Sequence, residues 1–88
     1  MKILVRHKVK DFDFWKSVYE KHSSSREGIG AKDFKVYCNS KSRNDVFVIA
    51  DVTDAEKLQS LAGDNDLKTL LRESGVVGIP EVLLLDEA

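Results

Sequence analysis

Four segments of the chain have the apolar pattern of β-strands. Residues 2–9 (K-I-L-V-R-H-K-V) and residues 33–40 (D-F-K-V-Y-C-N-S) alternate with the period of two that is typical of a strand with one buried face. Residues 46–52 (V-F-V-I-A-D-V) and residues 79–86 (I-P-E-V-L-L-L-D) are almost continuously apolar. We predict strands in all four, and Asn44-Asp45 supplies turn residues for a hairpin between the second and third.

The segment after the first strand has the periodicity of an amphipathic helix. Its buried stripe follows the spacing i, i+3, i+4, i+7 and consists of Trp15, Val18, Tyr19 and His22. Asp11 can cap this helix, Asp13 suits its first turn, and Gly28 can end it. Three serines precede that glycine, so we expect the last turn to fray.

A second helical region follows the hairpin. Thr53 and Glu56 have the spacing of a capping box, and Gly63 can end the helix that they begin. Asp64 can cap a second, leucine-rich piece that Gly75 would end. The order of elements is therefore β-α-β-β-α-β.

This order predicts the fold class. Right-handed crossovers over one sheet give an α+β, ferredoxin-like domain with a four-stranded antiparallel sheet, both helices on one face, and the first and third strands central. With 88 residues, no linker and no low-complexity tract, we expect a single domain over residues 1–88.

The sheet face that the helices leave bare is a candidate interface. The third and fourth strands are apolar on both faces, so one apolar face remains after the helices are placed. Covering a few hundred Å² of it is worth several kcal/mol, at roughly 25 cal/mol per Å². We therefore expect a face-to-face homodimer, with Arg6, Lys8, Lys35 and Tyr37 at or near its rim. The alternative is a lone subunit whose sheet is covered by loops.

Composition narrows the function classes. Apolar residues make up 42% and charged residues 33% of the chain, which fits a folded globular domain. The net charge of −1 argues against general binding to nucleic acid or anionic membranes. One cysteine excludes an intrachain disulfide, and no apolar run could span a bilayer or act as a signal peptide, so we expect a cytoplasmic protein.

The combination of motifs resembles a known superfamily. It comprises V-R-H-K-V-x-D-F-D-x-W at residues 5–15, H-x-x-x-R at residues 22–26, and the closing G-V-V-G-I-P-E-V-L-L-L. This pattern is similar to the small dimeric α/β-barrel proteins that include antibiotic-biosynthesis-type monooxygenases and many bacterial relatives. The resemblance implies two sheets packed face to face as a dimeric α/β barrel. It also implies a pocket for small aromatic or hydrophobic molecules between each sheet and its helices, where some members use dioxygen without a cofactor.

The candidate site residues come from the first strand and the first helix. His7 shares the helix-facing side of its strand with Val5 and Val9, and His22 lies on the buried stripe of the helix, so both imidazoles can face one pocket as general bases. The alternatives are a packed His7 and a His22 that interacts with helix-end carbonyls.

Three further residues complete the predicted pocket. Trp15 and Tyr19 would form its wall, although Trp15 is most simply a core residue. Arg26 could stabilise an anionic substrate group or enolate, or be a surface arginine near a helix end.

Asp51, which interrupts the apolar third strand, is a further candidate for substrate binding. It is either a partly buried acid with a raised pKa or a strand-end residue that reaches water. Two histidines without a third ligand nearby do not predict a metal site. Residues 53–74 contain no histidine, so the haem site of some relatives is not expected either, and we expect no cofactor.

The sequence thus predicts a homodimer that binds a small aromatic or hydrophobic molecule, as a cofactor-independent monooxygenase-like enzyme. The alternative is a non-catalytic homodimeric binding or structural module.

Overall fold

The computed structural model describes residues 1–61 and 64–88. Their elements follow in the order β1 (Lys2–Val9), α1 (Phe12–Lys21), a 3-10 helix (Ser23–Arg26), β2 (Ala31–Asn39), β3 (Ser42–Val52), α2 (Ala55–Ser60), α3 (Asn65–Glu73) and β4 (Val76–Leu85). The strands form one antiparallel sheet in the order β2-β3-β1-β4. The α+β, ferredoxin-like arrangement predicted from the sequence is confirmed, with the first and third strands central.

Helix α1 begins and ends for local reasons. The Asp11 side chain accepts a hydrogen bond from the backbone N–H of Asp13, as expected of an N-cap. At its end, the backbone N–H of His22 donates to the carbonyl of Val18, and the chain continues as the 3-10 helix Ser23–Arg26. The prediction that Gly28 ends this helix was therefore wrong, because α1 already ends at Lys21, and Gly28 follows the 3-10 helix with a φ of 71°.

The prediction of a turn at Asn44-Asp45 was wrong. The β2–β3 hairpin turns at residues 40–41, where the Asn39 side chain accepts a hydrogen bond from the backbone N–H of Lys41. Asn44 instead accepts a bond from the backbone N–H of Phe12, and Asp45 lies within β3. Both residues have long-range partners that the local turn preference does not reveal, so β3 begins earlier than predicted.

The predicted capping box at Thr53 was also wrong. Asp54 is the N-cap of α2, and its side chain accepts a hydrogen bond from the backbone N–H of Lys57. The backbone N–H of Thr53 donates to the carbonyl of Gly30, which fixes the start of β2 against the start of α2. The predicted helix end at Gly63 lies outside the described residues.

Helix α3 follows the sequence prediction closely. The Asp64 carboxylate accepts hydrogen bonds from the backbone N–H groups of Asp66 and Leu67, as an N-cap does. Gly75 follows the helix with a φ of 86°, a conformation that favours glycine.

The packed core lies between α1 and the centre of the sheet. Its buried apolar residues are Val9, Trp15, Val46 and Val48, and Val46 is 0% exposed. The sequence alternation of Phe34, Val36 and Cys38 predicts that Cys38 is a small core residue, but its side chain is exposed, so this prediction is wrong. Cys38 lies on β2, which is an edge strand of the sheet, and pairs with Val46 of β3.

The outer face of the sheet, opposite the helices, carries large apolar side chains. Its exposed members include Tyr37, Val77, Leu83 and Leu85. The guanidinium of Arg6 and the buried carboxylate of Asp45 join β1 to β3 on this face by a two-bond ion pair, with nitrogen–oxygen distances of 3.0 and 2.9 Å.

Candidate functional site

A cavity of about 540 Å³ lies between the sheet and the helices. Its floor is formed by Val5 and His7 of β1 and Val48 of β3. Helix α1 supplies one wall and α3 the other, through leucines at positions 67, 70 and 71. No residue of α3 is fully buried, so this helix borders the cavity without filling it. The lining is mostly apolar and the volume suits a small organic molecule.

Three rings and a guanidinium form a column along the α1 side of the cavity. The rings of His7 and Trp15 have centroids 5.1 Å apart, and Trp15 stacks on Tyr19, one helical turn later, at 5.0 Å. The guanidinium carbon of Arg26 lies 3.5 Å from the centre of the Tyr19 ring. Trp15 and Tyr19, which the sequence grouped by helical spacing, are therefore in direct contact.

His7 is held in this column by packing. Its side chain is buried, and neither ring nitrogen has a hydrogen-bond partner among the described residues. Burial lowers the pKa of His7 below its ordinary value of 6.5, because the charged imidazolium is poorly solvated there. The imidazole therefore contributes a neutral ring to the cavity floor, with its nitrogens shielded from water.

Tyr19 and Arg26 combine two polar groups at the edge of the apolar lining. The Tyr19 hydroxyl is buried and has no partner among the described residues. Burial raises the pKa of this phenol, while the neighbouring Arg26 charge lowers it in part. Arg26 is partly buried, and its Nη1 donates to the backbone carbonyl of Tyr19. It therefore lines the cavity rather than being the plain surface arginine of the alternative interpretation.

His22 lines the same cavity from the end of α1, where its exposed side chain is accessible to water. The structure thus brings five of the six candidate residues to one cavity, and these are His7, Trp15, Tyr19, His22 and Arg26. An imidazole at the rim is suited to proton transfer, and a guanidinium is suited to stabilising negative charge.

Asp51 is not part of this cavity. Its carboxylate accepts a 2.6 Å hydrogen bond from the ammonium group of Lys2, its partner across the β1–β3 pair on the outer face. This bond is the main reason why the pKa of Asp51 is lowered, so the alternative of a raised pKa was wrong. Successive side chains of β3 point to opposite faces of the sheet, so Asp51 lies on the outer face whereas its neighbour Ala50 is buried.

Acidic side chains on α3 are the cavity residues that the sequence analysis missed. Asp64, the N-cap of α3, and Asp66 and Glu73 within the helix also line the cavity. The sequence marked Asp64 only as a helix cap, and the leucine spacing of α3 indicated which face is apolar without indicating a cavity. Within the described residues no three potential ligands are grouped to hold a metal ion, and no helix is long and apolar enough to cross a membrane.

Comparison with known proteins identifies the fold. No protein-family model and no curated protein matches the chain. An antibiotic biosynthesis monooxygenase of known structure is 14% identical with a TM-score of 0.73, and the match covers 99% of this chain and 97% of that one. SnoaB, a cofactor-independent oxygenase from Streptomyces nogalater, is 15% identical with a TM-score of 0.70, covering 99% and 93%.

A third solved structure, assigned to the antibiotic biosynthesis monooxygenases of Bordetella bronchiseptica, has a TM-score of 0.81 at 6% identity, covering 99% and 95% of the two chains. The protein is therefore an α+β protein with the ferredoxin-like fold of antibiotic biosynthesis monooxygenases. The resemblance predicted from the sequence is confirmed as a likeness of fold, and identities this low show the fold and not the activity.

Proposed function

We propose that this protein binds a small aromatic or largely apolar molecule in the cavity and oxidises it as a cofactor-independent monooxygenase. The observation that carries the proposal is the meeting of Trp15, Tyr19, His22 and Arg26 at one mostly apolar cavity. The likeness of fold to SnoaB supports the same reaction class.

The reaction class assigns a role to each polar group. His22 removes a proton from an acidic C–H or O–H group of the substrate, and Arg26 stabilises the anion that forms. The anion passes electrons to dioxygen, one oxygen atom enters the product, and the other leaves as water. Where a CH₂ group becomes a carbonyl, CH₂ and O₂ give C=O and H₂O, so the substrate itself supplies the reducing electrons and both hydrogens.

Of the two histidines, His22 is the better candidate for the base. A general base needs a ring nitrogen within hydrogen-bond reach of the substrate. The nitrogens of His7 are buried behind neighbouring side chains, whereas the His22 side chain is exposed at the rim of the cavity. His7 then serves as part of the apolar floor, together with Val5 and Val48.

We also propose that the protein is a cytoplasmic homodimer of single-domain subunits, joined through the outer faces of their sheets. Exposed apolar side chains on that face, including Leu83 and Leu85, support a second copy of the chain as its cover. Two such sheets face to face would give the dimeric α/β barrel, with one cavity on each side away from the interface.

The alternative function is a non-catalytic homodimeric binding or structural module. The observation that favours it is the buried, unpartnered imidazole of His7, which behaves as a packing residue. In this alternative the cavity binds its ligand, but no group performs proton transfer.

Two measurements test the proposal. The chain has one tryptophan, so the single indole N–H signal of Trp15 in an ¹⁵N-labelled sample reports occupation of the cavity. Titration with 1-naphthol should shift this signal saturably. Oxygen uptake with hydroxylated naphthalenes then tests catalysis, and His22→Gln should lower kcat by about 10²- to 10⁴-fold with little change in KM.

Lys21→Gln is the matched control, because Lys21 is the exposed neighbour of His22 and lies outside the cavity lining. It should leave oxygen uptake unchanged. Binding without oxygen uptake across the hydroxylated naphthalenes would favour the non-catalytic module, and absence of any shift at Trp15 would reject the cavity as the binding site.

A further inference from the structure

Arg26 lacks the carboxylate partner that two other arginines have. Arg6 bonds to Asp45 and Arg43 bonds to Asp13, both with a nitrogen–oxygen distance of 2.9 Å. Among the described residues, no carboxylate lies within ion-pair distance of Arg26. Its positive charge is nevertheless partly buried at the wall of a mostly apolar cavity.

The partners that Arg26 does have leave most of its donors unused. One N–H donates to the Tyr19 carbonyl, and the guanidinium plane lies over the Tyr19 ring with its carbon 3.5 Å from the ring centre. The ring of Phe34 is 5.8 Å away. A guanidinium has five N–H donors in a planar fork. Stacking therefore fixes the orientation of the group while donors remain for a planar anion.

A partly buried charge without a counter-ion is costly. A ligand group that accepts hydrogen bonds and carries negative charge would lower this cost at Arg26. The Tyr19 hydroxyl does not contribute, because it is as shielded from solvent as the ring nitrogens of His7.

We propose that the ligand of this cavity carries a carboxylate, bound by the guanidinium of Arg26 where that group stacks on the Tyr19 ring. The inference rests on the proposed ligand-binding function and narrows its substrate class to aromatic or apolar carboxylic acids.

The acidic side chains of the α3 wall orient such a ligand. Asp64, Asp66 and Glu73 line the α3 side, where a carboxylate would meet repulsion. The Asp64 carboxylate is already engaged with backbone N–H groups of α3. The ligand carboxylate is thus directed to the Arg26 side, and its apolar body lies across the floor toward α3.

A pair of isosteric probes tests the inference. 2-Naphthoate and 2-naphthamide have the same ring system and nearly the same shape, and only the first is charged at neutral pH. Titration of each against the Trp15 indole signal gives its Kd. In the native protein 2-naphthoate should bind about tenfold or more tightly than 2-naphthamide, as expected for a charge-assisted hydrogen bond.

The variants assign this preference to one residue. Arg26→Gln should lower the affinity for 2-naphthoate to the level of 2-naphthamide. The affinity for 2-naphthamide should stay unchanged. Arg26→Lys keeps the charge without the planar fork, so it should retain part of the preference, and it remains informative if the glutamine variant does not fold. Arg43→Gln removes the same charge from an exposed arginine outside the cavity and should retain the full preference.

The outcomes separate this inference from the proposed function. Equal affinity of the native protein for the two probes, or a preference that survives in Arg26→Gln, would overturn the carboxylate site and leave cavity binding intact. Failure of both probes and of 1-naphthol to shift the Trp15 signal would overturn the proposed function and this inference together.

Discussion

The imidazole of His7 and the indole of Trp15 are in contact across the interface between β1 and α1, with ring centroids 5.1 Å apart and planes inclined by 53°. Both side chains are buried, and the indole also stacks on Tyr19. The contact joins the cavity floor to the cavity wall. It holds the histidine in place without a hydrogen bond to either ring nitrogen among the described residues.

This contact predicts a specific acid sensitivity. Burial depresses the pKa of His7 in the folded state, so the unfolded chain binds a proton more readily than the folded one. The contribution of His7 to stability is therefore complete well above pH 6.5 and is lost as the pH falls through 6.5 toward the folded pKa. One proton limits the slope to about 1.4 kcal/mol per pH unit.

His7→Phe should remove this dependence while keeping an aromatic ring against Trp15. Urea unfolding of both proteins at several pH values between 5 and 8 checks this prediction. The difference between their free energies of unfolding, plotted against pH, gives the contribution of His7 alone. The variant should gain stability relative to the native protein as the pH falls. Parallel curves would contradict the prediction, as would a His7 pKa at or above 6.5 by NMR.

The ion pair between Arg6 and Asp45 predicts a second stability effect. The hydrogen bond from Arg6 is the main cause of the lowered pKa of Asp45. The contribution of Asp45 to the stability of the fold is therefore present above the ordinary pKa of 3.8 and is lost as the pH falls through the pKa of the folded state. Asp45→Asn should lower the urea midpoint at neutral pH, because it leaves Arg6 without its charged partner.

Asp13→Asn is the control for this effect. Asp13 also bonds to an arginine at 2.9 Å, but both side chains are well exposed, at 76% for Asp13 and 65% for Arg43. Exposed pairs contribute little, and loss of a carboxylate from the first turn of a helix costs about 0.3–1 kcal/mol, so this change should lower the midpoint less than Asp45→Asn does. Equal effects of the two substitutions would show that the burial of Asp45 adds nothing to the pair.

The sequence predicted the fold well because local signals and the hydrophobic pattern agree. Asp11 and Asp64 cap their helices as local chemistry requires, and the alternation of β1 sets which face of that strand meets α1. The errors occurred where a long-range partner outweighed a local preference. Asn44 has turn chemistry, yet its side chain binds the start of α1, and Asp45 binds Arg6.

The candidate site was predictable where it depends on helix periodicity. Trp15 and Tyr19 share a face by spacing alone, and His7 shares the inward face of β1 with Val9. The stacking of Arg26 on Tyr19 could not be read from the pattern, because it depends on the 3-10 helix that replaces the last turn of α1. The presence of Asp64, Asp66 and Glu73 at the cavity could not be predicted either, because it depends on how α3 packs over the sheet.

The junction between β2 and α2 predicts a third measurable effect. Gly30 has a φ of 99°, and a Cβ there would lie against the backbone carbonyl of Asp54. Gly28 has a φ of 71°, with nothing within 4 Å of a Cβ placed on it. Gly28→Ala should cost about 1–2 kcal/mol for the left-handed backbone, and Gly30→Ala about 1–3 kcal/mol more for the clash.

Urea denaturation of the two variants measures the difference. Because the backbone cost is common to both, the excess in Gly30→Ala reports how closely β2 and α2 approach each other. Equal destabilisation would mean that the junction can open without cost, and the hydrogen bonds from Thr53 and Asp54 to the Gly30 carbonyl would then not hold it closed.

The outer face of the sheet supports the proposed homodimer, and neighbouring leucines of β4 allow a matched test. Leu83 and Leu84 are each 49% exposed, but Leu83 pairs with Leu4 on the outer face, whereas Leu84 pairs with Ile3 on the helix side. In an isolated subunit, Leu83→Glu and Leu84→Glu should therefore have similar effects on folding. In a dimer joined through the outer faces, only Leu83→Glu brings an unpaired carboxylate into the interface.

We expect Leu83→Glu to raise the dimer dissociation constant about a hundredfold or more, since burial of an unpaired charge costs several kcal/mol. Leu84→Glu should leave that constant within a few-fold of the native value. Sedimentation equilibrium measures both, with circular dichroism to confirm that each variant is folded. A native protein that sediments as a single subunit at micromolar concentration, or equal weakening by the two variants, would rule out the outer face as the interface.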